Sequence, residues 1–449
     1  MVKDMTQGKP IKLILAFCLP LVAGNIFQQL YNMVDSIVVG KFVGVNALAA
    51  VGATGSINFL VLGFALGLCS GFGIPISQSF GAQDEVGVRK FVINSIYLCL
   101  IATIVLTSLT MIFTPSLLTL MNTPADIYQD SYTYISIMFM GIVATIYYNM
   151  LSSILRALGD SKTPLLFLAI ASILNVILDL VFVINFKMGV AGVAWATLVA
   201  QAVSAILCAV FMIKRFPILK FKKEEYRFDV TCCKRLLSIG VPMALQFSIT
   251  AIGSVMIQTA VNGLGSARVA AVTAANKIQM MVTQPMDTLG ITMATYCGQN
   301  LGAKKIDRIE KGLKVSFALS FGYCIIACIF MWGFGTFIAQ LFIDASETAI
   351  MADVSLFLRM NSILFFLLGA LFIMRNSLQG LGYSALTMLA GVAELIGRAI
   401  VAFVFVGIFG YTAICFANQF AWLLADIILL ATFIIKMKQL RLSAVNQTL

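Results

Sequence analysis

Residues 214–235, KRFPILKFKKEEYRFDVTCCKR, are the longest basic stretch of the chain, with eight lysines and arginines. On either side the sequence runs apolar for about twenty residues at a time, the length a helix needs to cross the roughly 30 Å hydrocarbon layer of a bilayer. Six such runs precede the stretch, near 13–40, 52–79, 91–114, 131–155, 164–186 and 190–213. Six follow it, near 236–262, 270–300, 314–343, 355–379, 385–407 and 411–435. Composition agrees: 60% hydrophobic and 11% charged residues over 449 positions, with a mean hydropathy of +0.99, exclude a water-soluble fold. The expected fold is an all-α polytopic membrane protein of twelve transmembrane helices in two six-helix lobes. The lobes are expected at 1–215 and 236–449, joined by a basic cytoplasmic linker at 216–235.

The net charge of +11 follows from topology. The amino-terminal segment, the even-numbered loops and the carboxyl-terminal segment hold 23 lysines and arginines, whereas the odd-numbered loops hold only Lys41, Lys187 and Arg268. By the positive-inside rule both termini face the cytoplasm, and no nucleic-acid partner is needed to explain the charge. The first apolar run is longer than a signal-peptide core and lacks a small-residue cleavage site, so it reads as a retained span. The cysteines lie mostly within spans, apart from Cys232 and Cys233, with no metal-binding spacing, and read as small packing residues.

The two halves repeat one another. Leu19-Pro20 through Ala47-Leu48-Ala49-Ala50-Val51 matches Val241-Pro242 through Arg268-Val269-Ala270-Ala271-Val272 with one gap. Ser77-Gln78-Ser79-Phe80-Gly81-Ala82 matches Gly298-Gln299-Asn300-Leu301-Gly302-Ala303, and Leu155-Arg156-Ala157-Leu158-Gly159 matches Leu378-Gln379-Gly380-Leu381-Gly382. An even number of spans per repeat gives both halves the same orientation, hence a pseudo-twofold axis along the membrane normal and a site between the lobes. Transport is the function such a frame serves best, although duplicated bundles also form channels.

Ionisable residues inside a bilayer are costly and therefore candidate functional groups. Asp35 lies about five residues from the outer end of the first span and Asp179 about six from that of the fifth, so both sit roughly 8–9 Å deep. Asn175 is one turn inward of Asp179, and Thr197 on the sixth span reaches the same depth. Two carboxylates, an amide and a hydroxyl suit a proton or a sodium ion. Histidine is absent, so proton chemistry falls to carboxylates. In the second half Asp35 aligns with Ile257 and Asp179 with Ala402, which predicts a one-sided coupling site. That half instead carries Asp287 after Pro285, Met286 in a methionine-rich eighth span, and Glu394 with Arg398 one turn on, a candidate substrate cavity with surplus negative charge. Asp426 has no evident partner in the sequence.

Pro20 with Asp35, the Gln-x-x-Gly-Ala segments at Gln78 and Gln299, Arg156-Ala157-Leu158-Gly159-Asp160 and Asn175-x-x-x-Asp179 together resemble the multidrug and toxic compound extrusion (MATE) family. The resemblance covers nearly the whole chain. It implies a V-shaped pair of lobes that exports drugs by antiport against protons or sodium. It places the family's amino-lobe cation site on Asp35, Asn175, Asp179 and Thr197, and the family's bending helix at Pro20. Some relatives carry another cation site from acids in the seventh and tenth spans; Val241–Asn262 and Leu356–Gln379 contain none. The chain is thus expected to be a monomeric, multi-pass protein of a bacterial inner membrane and not an enzyme. It is expected to need no cofactor beyond its coupling ion, H+ or Na+, and to move cationic or amphiphilic small molecules. The rival expectation is a flippase for a lipid-linked precursor, which would call for a strongly cationic cavity.

Overall fold

A computed structural model describes residues 4–121, 123–341, 343–344 and 346–448, excepting the side chains at 30–33, 36, 45 and 443–448. It divides into two compact units, one of Met1–Asp4 with Leu19–Ser248 and one of Met5–Cys18 with Ile249–Leu449. The basic loop divides the spans six and six, but each packing unit also takes in part of the other half's first helix.

The first unit contains most of α1 (Pro10–Val38), then α2 (Val45–Gly81), α3 (Glu85–Leu120), α4 (Ala125–Met140), α5 (Ile142–Ala157), α6 (Lys162–Leu180), α7 (Gly189–Arg215) and the inner part of α8 (Val230–Asn262). The second contains the rest of α8, α9 (Ser266–Gly302), α10 (Ile306–Ala339), α11 (Thr348–Ile363), α12 (Phe365–Gly380), α13 (Ser384–Ile400), α14 (Val406–Phe409) and α15 (Tyr411–Thr448). Among the described residues, nine helical segments are long and apolar enough to span a membrane. The pairs α4–α5 and α11–α12 make two further spans, bent by 46° and 51° at equivalent places in the repeat. The twelfth is α9, whose Lys277, Asp287, threonines and glutamines lower its hydropathy. Its inner half turns that polarity inward, with Thr288, Thr292, Gln299 and Asn300 fully buried.

In lipid there is no hydrophobic drive between helices, so close packing of small residues does the work. A Cβ at Gly71 would fall 2.4 Å from the Gly240 Cα, and one at Gly67 would fall 2.7 Å from the Ala244 Cα. Glycine there lets the backbones of α2 and α8 touch. Gly71→Ala must force the two helices apart, which is expected to cost about 1–3 kcal/mol. The measurement is the melting temperature of the purified protein in detergent, and an unshifted value would contradict the expectation.

At the basic end of each unit, the segment ahead of the opposite half's first span is tied down. In the second unit, the Met5 N–H donates to Gln299 Oε1 at 2.9 Å, Asn300 Nδ2 donates to the Met5 carbonyl at 3.2 Å, and Arg308 Nη1 donates to the Gly8 carbonyl at 2.9 Å. This gives the second Gln-x-x-Gly-Ala segment a local role. In the first unit, Arg89 Nε donates to Glu225 Oε1 at 2.8 Å and the Asp229 N–H donates to Asn94 Oδ1 at 2.9 Å. The Lys222 N–H, and after it Arg89, hold the Glu225 carboxyl below its ordinary range.

Candidate functional site: a buried carboxylate pair and a separate arginine cavity

The helices α1 and α6 both lose their regular pitch beside an aspartate. Asp35 is followed by a π turn at Val39–Val43, and Asp179 by one at Val181–Asn185. Such widened turns recur at functional sites because they redirect backbone and side chains. The two π turns pack on each other. Val39, Val183, Val190 and Val193 form a buried apolar cap there, with Tyr134 packed against it.

Beside this cap Asp35 and Asp179 come within hydrogen-bonding reach of each other. Asp179 and Asn175 are fully buried, and Thr197 nearly so. Asn175 Nδ2 donates to Thr197 Oγ1 at 3.3 Å, and the Thr197 hydroxyl donates to the Val193 carbonyl at 3.1 Å. The Asn175 amide nitrogen is thereby committed, and its Oδ1 accepts from no group among the described residues. Neither Asp179 oxygen receives a donor from an amide, hydroxyl or base among them. Tyr134, on α4, lies close enough to interact electrostatically with both aspartates. The structure thus brings together Asp35, Asn175, Asp179 and Thr197, the four residues picked out by depth, and adds Tyr134. The sequence signal for Tyr134 was the polar run Ser131-Tyr132-Thr133-Tyr134 in an otherwise apolar span.

Two carboxylates sharing one water-poor place cannot both stay charged without cost. Together with Asn175 Oδ1 they offer hard oxygen acceptors around a missing positive charge. A proton or a monovalent cation supplies it.

The equivalent place in the second unit is apolar. Ile257 packs on a cluster of Val401, Ala413 and Ala417, and Ala402 is buried beside them. A π turn persists at Val401–Phe405, so the duplication kept the backbone feature without the acids.

The remaining polar candidates separate. Glu394 accepts from Arg398 Nη2 at 3.3 Å and also from Arg375 of α12, which forms the closer pair. Asp287 and Asp426 are electrostatic neighbours of Arg375, while neither Asp426 oxygen accepts a hydrogen bond from the described residues. Met286 is 1% exposed in the apolar core of this unit. A cavity of about 340 Å³ is lined by α8, α9, α13 and α15. Of the four proposed cavity residues, only Arg398 reaches its wall, joined by Gln258, Asn276, Gln279, Met280 and Asn418. Pro20 lies within α1 with no break in the helix, two residues past the point where the chain passes from the second unit to the first.

Known proteins bear out the duplicated frame. The MatE family model matches residues 20–181 and again 242–404, one copy in each half. Probable multidrug resistance protein YpnP of Bacillus subtilis is 30% identical over 77% of this chain and 77% of its own length. YoeA, of the same organism and description, is 29% identical over 78% of this chain and 77% of its own. A MATE family multidrug resistance transporter solved in an outward-facing conformation superposes with a TM-score of 0.91, at 23% identity, over 97% of this chain and 98% of its own. With both halves matched by the family model, and with the twelve-span fold shared with a solved family member, the chain belongs to the MatE family of multidrug and toxic compound extrusion transporters.

Proposed function

We propose that this transporter exports small amphiphilic molecules by antiport against protons or sodium, and that Asp35, Asn175, Asp179 and Thr197 form the coupling site. The observation that carries the reading is the fully buried Asp179 beside Asp35, its two oxygens receiving no donor from an amide, hydroxyl or base among the described residues. When the pair is empty of cation its double charge is costly; when a proton or sodium ion enters, the charge falls from two to one and the cluster becomes better suited to a closed, dry environment. The site therefore favours different conformations of the first unit in its loaded and unloaded states, which is the requirement for coupling. Substrate leaves as the cation loads, and release of the cation on the other side resets the cycle.

Pro20 gives α1 a place to bend, because its missing N–H leaves one helical hydrogen bond unmade. The transporter works as a monomer in a bacterial inner membrane, with its basic loops in the cytoplasm.

The test is uptake of a fluorescent lipophilic cation, and of a zwitterionic analogue, into proteoliposomes under an imposed pH or sodium gradient. Wild type is expected to show gradient-driven flux of at least one probe, with the effective gradient naming the ion. Asp35→Asn is expected to reduce that flux to the passive leak. Full flux in the double variant Asp35→Asn, Asp179→Asn would rule out this coupling site.

A further inference from the structure

Arg398 is one turn beyond Glu394 on α13, in the middle of the eleventh span. It is 7% exposed. One guanidinium nitrogen, Nη2, is committed to Glu394 Oε2 at 3.3 Å, while Nη1 has no hydrogen-bond partner among the described residues. The side chain owes its position partly to a glycine: a Cβ at Gly253 of α8 would lie 3.0 Å from both Arg398 Cδ and Nη1. The arginine thus lines the 340 Å³ cavity of the second unit with a buried, unused donor.

The charges around it are unevenly placed. Among the described residues no carboxylate lines the cavity. Glu394 is shared between Arg375 and Arg398, so those three groups together carry one net positive charge. Asp287 and Asp426 are electrostatic neighbours of Arg375. The rest of the wall carries the amides of Gln258, Asn276, Gln279 and Asn418, the hydroxyls of Ser254 and Thr283, and apolar side chains that include the thioether of Met280. Amides orient polar groups of either sign, and a thioether adapts to varied apolar shapes. The volume falls in the range of small-molecule sites, about 300–1,000 Å³. The surplus acids expected of this region are therefore not among the residues that line the cavity.

We propose that this cavity is a substrate subsite that takes an oxyanion group, a carboxylate or a phosphate monoester, on Nη1 of Arg398. Guanidinium suits such a group because its N–H donors make charge-assisted hydrogen bonds to anionic oxygens, and Nη1 remains to make one while Nη2 holds Glu394. The transported class is then a zwitterionic or anionic amphiphile rather than a simple lipophilic cation. The inference rests on the reading of the chain as a small-molecule exporter and names the chemistry its substrate must carry.

The experiment is equilibrium binding, with no gradient, of matched fluorescent amphiphiles to the full chain in phosphatidylcholine nanodiscs. The probes are a carboxylate, its methyl ester, its phosphate monoester and a trimethylammonium analogue. The carboxylate or the phosphate is expected to bind roughly tenfold or more tightly than the ester, as charge-assisted hydrogen bonds allow. That advantage should vanish in Arg398→Gln. It should also vanish in Asn276→Asp, which puts a carboxylate into the lining at an exposed position and leaves the Arg375–Glu394–Arg398 cluster intact. Equal binding of acid and ester, tighter binding of the trimethylammonium probe, or an advantage that survives both substitutions would overturn the proposal. Complete suppression of acid binding by added phosphatidylglycerol would also overturn it, by assigning the arginine to a lipid headgroup. Selective binding of a probe that no gradient drives would leave the subsite standing and refute only the antiport reading; gradient-driven flux without acid preference would do the reverse.

Discussion

Asp179→Asn is expected to abolish gradient-driven flux while leaving the protein as stable as wild type or more so. The two readouts part because the substitution keeps the shape of the side chain and removes its charge. Asp179 is fully buried, and its oxygens draw no donor from any amide, hydroxyl or base among the described residues. A carboxylate in that position destabilises the fold whenever it is charged, and the cost is relieved only by the ion it binds. An amide needs no such ion, so the cluster loses its dependence on proton or sodium and with it the difference between loaded and unloaded states. Proteoliposome flux and the melting temperature in detergent would be measured on the same preparation. A purely structural role for Asp179 predicts the opposite pattern, lowered stability with proportionate flux in the fraction that remains folded.

The second large effect is expected at Glu394. This carboxylate is 4% exposed and holds Arg375 and Arg398 together, from two helices. Glu394→Leu leaves the buried Arg398 guanidinium with no carboxylate ion pair among the described residues and with Arg375 facing it, and removal of one partner from a buried ion cluster costs about 3–5 kcal/mol. The variant should melt far below wild type or fail to accumulate. Replacing Glu394 and Arg398 together, as Glu394→Leu and Arg398→Met, should recover most of the loss, because Arg375 keeps Asp287 and Asp426 as electrostatic neighbours and apolar packing replaces the other two charges. Melting of both variants decides the matter: a Glu394→Leu protein as stable as wild type would mean that water or a rearranged Asp287 or Asp426 neutralises the arginines. The double replacement also removes the donor of the oxyanion subsite, so it should bind a carboxylated amphiphile no better than its ester.

Hydropathy and charge determined the number of spans, the place of the basic loop, the duplication and the depth of each ionisable group. These are properties of one dimension, position along the membrane normal, and a linear sequence records that dimension directly. Depth was enough to group Asp35, Asn175, Asp179 and Thr197, because i,i+4 spacing fixed the shared face of α6 and few other polar residues occupy that slab. The apolar replacement at Ile257 and Ala402 was legible for the same reason.

Rotation about each helix axis and the choice of neighbour are set by packing, and those only the tertiary structure decided. Arg375 could not be joined to Glu394 from sequence, since the two lie on different helices and the visible i,i+4 pair with Arg398 already offered a sufficient partner. Tyr134 was passed over because a tyrosine in a span is ordinary until its neighbours are two aspartates. The packing of the inner part of α8 in the first unit depends on backbone contact at Gly71 and Gly240, where the absence of side chains leaves little hydropathy signal. The largest revision is at the cavity. The residues Asp287 and Glu394 suggested an excess of acid there, whereas in the folded chain Glu394 pairs with Arg375 and Arg398 and the wall carries Arg398, because an expensive charge is placed where another charge can neutralise it.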